Sequence, residues 1–184
     1  SSSLYKGLTE LSINKISVKG AQEPLKKEII ILVQNAATEG FSALKAQALR
    51  EKIQEINKVE KAFVKLSTDG SVIVEVIQRK EAAVFFNNHL YEVLDSNGVI
   101  LSIKQHYQGL SSLPLLVGKD GQKNINELLS LVNEIRSFQS EVLYYEWIGE
   151  RRWNIQMKND LVFKLPENNL SKGVEVMRMF LNET

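Results

Sequence analysis

Apolar positions along the chain repeat with two periods, and the change from one to the other divides the sequence into two halves. Ile13, Ile16 and Val18 predict a short strand whose alternation slips once, ended by Gly20. Pro24 suits the first turn of a helix, and Leu25, Ile29, Leu32 and Ala36 follow at helical spacing until Gly40. A second helix is predicted with Leu44, Ala48, Ile53 and Ile56 on one side. Two β-branched runs, 59–67 and 72–78, flank Thr68-Asp69-Gly70-Ser71, and an Asp-Gly step between such runs predicts a hairpin. The first half therefore reads strand, helix, helix, strand, strand.

From Ala82 onward the period is mostly two. Strands are predicted over 84–86, 90–94, 99–103 and 113–117, with Asp95-Ser96-Asn97-Gly98 as a turn. A helix is predicted over 124–138, with Ile125, Leu128, Val132 and Ile135 as its apolar stripe and Asn124 with Glu127 as a capping box. Three further strands follow at 142–148, 153–157 and 161–165, the last two joined at Asn159-Asp160, and a final helix starts near Ser171. The fold class is α+β: a β-α-α-β-β domain, then a mostly antiparallel β domain with two helices.

Composition narrows the functions open to such a chain. Its 184 residues carry 23 Lys+Arg against 22 Asp+Glu, a formal charge of +1, so no overall basic field recommends nucleic acid as a partner. The absence of cysteine removes disulfides, thiolate metal sites and a cysteine nucleophile together. Each of the four Asp residues stands in a turn context, where a short carboxylate bonds its own backbone. His89 and His106 have no acidic or histidine partner at i+3 or i+4, and no P-loop or dinucleotide fingerprint occurs. Gly118-Lys119-Asp120-Gly121 matches a bare GxxG, but an apolar strand precedes it where a nucleic-acid-binding loop would follow a helix. No enzyme, cofactor or metal site is expected. A binding module is. Arg151, Arg152 and Trp153 are the prominent candidates for partner contact, because Trp and Arg are favoured interface anchors. On the following strand Trp153, Ile155 and Met157 should face inward and Arg152 outward.

Short motifs in a fixed order add a resemblance. The opening strand ends in Val18-Lys19-Gly20, and the hairpin places Val59, Ala62, Val64, Val74 and Val76 in a V-x-x-A-x-V…V-x-V pattern. Gln78, Glu81, Ala83 and Phe85 stand where E-x-x-P-x-A-x-W is usual; Asp95 to Gly98 matches a D-x-x-G turn. Leu113-Pro114-Leu115-Leu116-Val117-Gly118 matches L-P-x-L-x-G, and Arg151-Arg152-Trp153 through Met157-Lys158-Asn159 matches R-x-W…L-x-N. In this order they resemble the extracytoplasmic region of the FtsQ family of bacterial cell-division proteins, called DivIB in Gram-positive bacteria. Gln78 and Glu81 depart from the usual Glu and Pro, and Pro166 stands where Gly is common.

The resemblance implies a juxtamembrane segment at 1–10, a POTRA domain at 11–80 and a β domain at 81–184. It implies a single-pass protein of the bacterial inner membrane, anchored before Ser1, with this region on the extracytoplasmic side at the septum. It also implies a non-enzymatic link between early and late septal proteins, with FtsB and FtsL as partners held by strand addition to a sheet edge and the POTRA domain as a contact for other septal proteins. The family's C-terminal docking strand is expected beyond Thr184, which leaves Leu161, Phe163 and Leu165 on the strand that would neighbour it as candidate partner-binding residues. The alternatives are a POTRA-containing transport or assembly factor and a small soluble enzyme with an unrecognised site.

Overall fold

The computed structural model describes residues 15–182, so the expected juxtamembrane segment and Ile13 lie outside the described residues. The chain forms two compact units that divide between Arg79 and Lys80.

The first unit runs β1 (Lys15–Lys19), α1 (Leu25–Ala36), α2 (Ala43–Gln54), β2 (Val59–Leu66) and β3 (Ser71–Gln78), the POTRA-like order expected. The sheet order is β1-β3-β2; β1 runs parallel to β3 and β2 antiparallel to it. Helices close one face of this sheet. Leu25, Ile29 and Val33 of α1 and Leu49 and Ile53 of α2 form one core with Val18, Ala62, Val72, Val74 and Val76. Each fully buried Leu, Ile or Val side chain contributes roughly 1.5–3 kcal/mol.

The face of α2 differs from the expectation. Leu44 is 79% exposed and Ala48 is also on the solvent side, whereas Ala46, Leu49 and Ile53 are buried. The start of the helix explains the rotation. Ser42 accepts a hydrogen bond from the Lys45 N–H at 3.2 Å as its N-cap, and Phe41, immediately before it, is fully buried. With Phe41 anchored in the core, Ala46, Leu49 and Ile53 occupy the inner face.

In the second unit β4 (Ala83–Asn87), β5 (Leu90–Leu94) and β6 (Ile100–Lys104) make an antiparallel meander, followed by β7 (Leu115–Val117) and α3 (Ile125–Glu134). The chain closes with β8 (Val142–Ile148), β9 (Arg152–Met157), β10 (Val162–Lys164) and α4 (Leu170–Asn182). All seven strands form one sheet in the order β10-β9-β8-β7-β4-β5-β6, parallel where β7 meets β4 and β8. Leu116, Tyr145, Trp147, Trp153, Ile155 and Met157 share one core with Leu128 and Leu131 of α3 and Val174 and Met177 of α4. Arg178 of α4 donates from Nε to the Glu134 carbonyl at 3.1 Å, tying that helix to the C-terminal end of α3.

Two expectations about α3 are corrected. The helix ends at Glu134 and continues as a 3-10 turn over Arg136–Glu141. Asn124 makes no side-chain cap, and Glu127 does not reach back to it; its carboxylate accepts the Trp153 indole N–H at 3.2 Å. A buried indole N–H needs an acceptor, and that demand takes Glu127 away from the helix end.

The aspartates act as turn residues. Asp69 Oδ1 accepts the Ser71 N–H at 2.9 Å, and that bond, ahead of the field of Lys15, holds its carboxyl below the ordinary value. Asp95 is 3% exposed and Oδ1 takes the N–H groups of Asn97 at 2.9 Å and Val99 at 2.8 Å. Asp95→Ala leaves both donors without this acceptor, and a loss of about 1–3 kcal/mol is expected in urea unfolding of the second unit, with Asp95→Asn milder.

Candidate partner-binding edge

β10 is the last strand on its side of the seven-stranded sheet, and among the described residues no strand pairs with its outer side. Its pairing to β9 decides which backbone groups stay open. Leu165 donates its N–H to the Trp153 carbonyl at 2.9 Å, and Met157 donates to the Leu161 carbonyl at 2.8 Å. Odd-numbered residues thus face β9, with Phe163 opposite Ile155. In an antiparallel ladder the intervening residues face the other way, so Val162 and Lys164 turn their N–H and C=O groups outward. An extended segment alongside would meet both.

α4 supplies the apolar side of this edge. It carries two stripes at helical spacing. Val174 and Met177 are buried in the core, while Val176 is 58% and Phe180 46% exposed, with Met179 also in solvent. Phe180 stands edge-on to Phe163 of β10 with ring centroids 5.6 Å apart. Between strand and helix lies an open groove of about 390 Å³ that includes Phe163, Leu165, Pro166, Gly173, Val176 and Met177 in its lining. Lys164 and Lys172 stand on its rim, so the groove is apolar at its floor and cationic at its margin.

The six candidate residues are not brought to one surface. Trp153 is 1% and Leu165 3% exposed; both belong to the core and act by fixing β9 and β10 in place. Phe163 is half-buried beside the groove, and Leu161 is partly exposed at the turn entering β10. Arg151 lies exposed in the β8–β9 turn. Arg152 points to the opposite face from Trp153, and its Nε is buried without a hydrogen-bond partner. As expected for β9, Trp153, Ile155 and Met157 are buried. The α4 stripe of Val176, Met179 and Phe180 was not anticipated from the sequence; its i, i+3, i+4 spacing beside the core stripe was the available signal.

The histidines stand apart from this edge. His89, at φ 64°, shares the β4–β5 turn with Asn88 and packs edge-on to Phe86 at 6.3 Å, while His106 is exposed after β6. Burial raises the Tyr145 hydroxyl well above its ordinary value even though Gln139 Oε1 accepts its hydrogen bond, and burial followed by Tyr91 raises Tyr107. Both phenols therefore stay neutral and serve as hydrogen-bond donors, Tyr107 to the Leu113 carbonyl at 3.3 Å. No group of three or more His, Cys, Asp or Glu among the described residues could hold a metal ion. No helix among them is long and apolar enough to cross a membrane.

Comparison with known proteins carries the site to a family. Residues 82–182, which include the whole seven-stranded sheet and both of its helices, match the model of the family "Cell division protein FtsQ/DivIB, C-terminal". Similar proteins include cell division protein FtsQ of Zymomonas mobilis, 23% identical over 97% of this chain and 56% of the relative. FtsQ of Bradyrhizobium diazoefficiens is 25% identical over 90% of this chain and 48% of its own length. The chain thus spans about half the length of these curated relatives. Among solved structures, the major extracytoplasmic domain of DivIB from Geobacillus stearothermophilus is 15% identical over 53% of this chain and 87% of its own, with a TM-score of 0.42. The family match covers the part of the chain that holds the candidate edge, and on that match the chain belongs to the FtsQ/DivIB family of cell division proteins.

Proposed function

We propose that this chain is a non-enzymatic scaffold of the bacterial divisome, on the extracytoplasmic side of a single-pass inner-membrane protein, and that it holds FtsB and FtsL at the β10 side of its sheet. The observation that carries the reading is the outward rim of Val162 and Lys164 directly beside an apolar groove. An extended segment added there would satisfy the rim with main-chain hydrogen bonds and place alternate side chains against Phe163, Val176 and Phe180. Lys164 and Lys172 at the rim favour a segment with carboxylates flanking its apolar residues. Rim charges of this kind select a partner more than they tighten it.

Val162→Pro tests the reading without touching the β9 ladder, because the N–H it removes points outward. Binding of the extracytoplasmic FtsB–FtsL pair, followed by calorimetry, should weaken about tenfold, as one lost main-chain bond implies. Thermal melting should stay close to that of the parent chain. Unchanged affinity in a normally folded Val162→Pro protein would place the docking edge elsewhere.

A further inference from the structure

We propose that the first unit carries a second docking surface, the outer face of its three-stranded sheet, and that this face lies against a membrane surface rich in anionic headgroups. The helices cover one side of the sheet only, and Val18, Ala62, Val72, Val74 and Val76 all point to them. Alternation sends Lys15, Ser17 and Lys19 of β1, Ile73, Glu75 and Ile77 of β3, and Lys61, Phe63 and Lys65 of β2 to the other side.

Register places these residues in rows across the sheet. Ser17, Ile73 and Lys65 form one row, Lys19, Glu75 and Phe63 the next, and Ile77 with Lys61 the row beyond; Lys15 sits beside Ser71 at the other end. Lysines thus stand along both outer strands, with Ile73, Glu75 and Ile77 on the strand between them and Phe63 between Lys61 and Lys65 on β2. Phe63 is 47% and Ile77 50% exposed. Lys61 Nζ rests 5.1 Å from the centre of the Phe63 ring, and Lys65 follows on the same strand. Glu75 is the carboxylate among these outward positions and lies directly opposite Lys19. Two others stand at the ends of the face: Glu60 in the β2 bulge, and Asp69 in the hairpin turn, bonded to the Ser71 N–H.

Solvent-facing sheet surfaces ordinarily place polar groups over their centre. Here Ile73 and Ile77 flank Glu75 on the central strand, Phe63 lies beside it, and lysines stand on both outer strands. Four residue steps along a strand and two strand spacings put the lysines on a frame of roughly 13 by 10 Å. A single acidic strand could follow one side of that frame and leave the other unmet. A layer of anionic headgroups meets both sides at once, the lysine stems reach outward over the apolar patch, and Phe63 and Ile77 enter the boundary between headgroups and acyl chains.

Sedimentation of the 184-residue chain with vesicles tests the proposal. Binding to phosphatidylcholine vesicles containing phosphatidylglycerol should exceed binding to phosphatidylcholine alone by about tenfold or more in low salt, and vanish in high salt. Lys61→Gln with Lys65→Gln should weaken it about thirtyfold, as two lysines lost from an anionic surface imply. Lys15→Gln with Lys19→Gln, on the opposite strand, should do the same, so the result does not depend on one variant folding. Lys26→Gln with Lys27→Gln, exposed on α1, should change binding little. Equal binding to both vesicle types, or an equal loss from the α1 pair, overturns the proposal. So does capture of an acidic peptide without vesicle binding, which would assign the face to a protein partner.

Discussion

Trp153→Ala is expected to unfold the second unit under conditions where the first stays folded. The indole is 1% exposed, lies 4.9 Å from the Trp147 ring and donates to Glu127 at 3.2 Å, and the residue's carbonyl accepts from Leu165. Truncation therefore opens a cavity in the core shared by α3, α4 and the sheet. It also leaves Glu127 without its donor and loosens the strand to which β10 is pinned. A buried Trp→Ala change costs about 3–5 kcal/mol, a large part of the roughly 5–15 kcal/mol by which a domain is stable. In calorimetry the transition of the second unit should fall by about 15 °C or more, with that of the first unchanged. Trp153→Phe, which keeps most of the volume and loses the indole N–H, should cost far less. A loss below about 1 kcal/mol in Trp153→Ala would show that the core closes over the gap and that this ring is not its keystone.

Gly118→Ala should be nearly as damaging, although it adds one methyl group. Gly118 follows β7 at φ +105°, and a Cβ there would stand 2.2 Å from the Trp147 carbonyl oxygen of the neighbouring strand. That atom is backbone and cannot turn aside, so either the φ angle or the β7–β8 pairing must give. A loss of about 3 kcal/mol or more is expected in chemical denaturation. Gly98→Ala is the control. Its φ is +84°, but the nearest atom to an added Cβ is 3.5 Å away, so only the backbone preference, about 1 kcal/mol, is at stake. Similar losses in both variants would show that close approach to Trp147 is not what demands glycine after β7.

These positions also show what could be read from residues alone. The hairpin at Asp69-Gly70 and the turn at Asp95 to Gly98 were legible because turn chemistry is local: the carboxylate bonds an amide two residues on. The stripe of α2 was misread because Leu44 and Ala48 make a plausible face by themselves, and the choice between faces was made by Phe41, outside the helix. Glu127 looked like a cap because its true donor, Trp153, is 26 residues away. Alternation in 161–165 pointed to a strand, which the structure forms over Val162–Lys164. The groove beside it depends on where α4 lands, and helical spacing in α4 could not say which of its two stripes would meet the sheet.

The arrangement of the large sheet bears on how quickly it can form. β4–β6 and β8–β10 are each antiparallel runs whose strands are joined by short turns, so each can assemble from neighbours in the chain. Three residues of β7 stitch the two runs together, with two paired positions to β4 and two to β8. Both of those pairings are parallel and join segments separated by other elements, β5 and β6 on one side and α3 on the other, which slows closure. A nascent chain should thus hold two small β meanders for a time before the central strand is trapped. Substitutions in Leu115–Val117 should slow folding more than equally costly ones in β5 or β9.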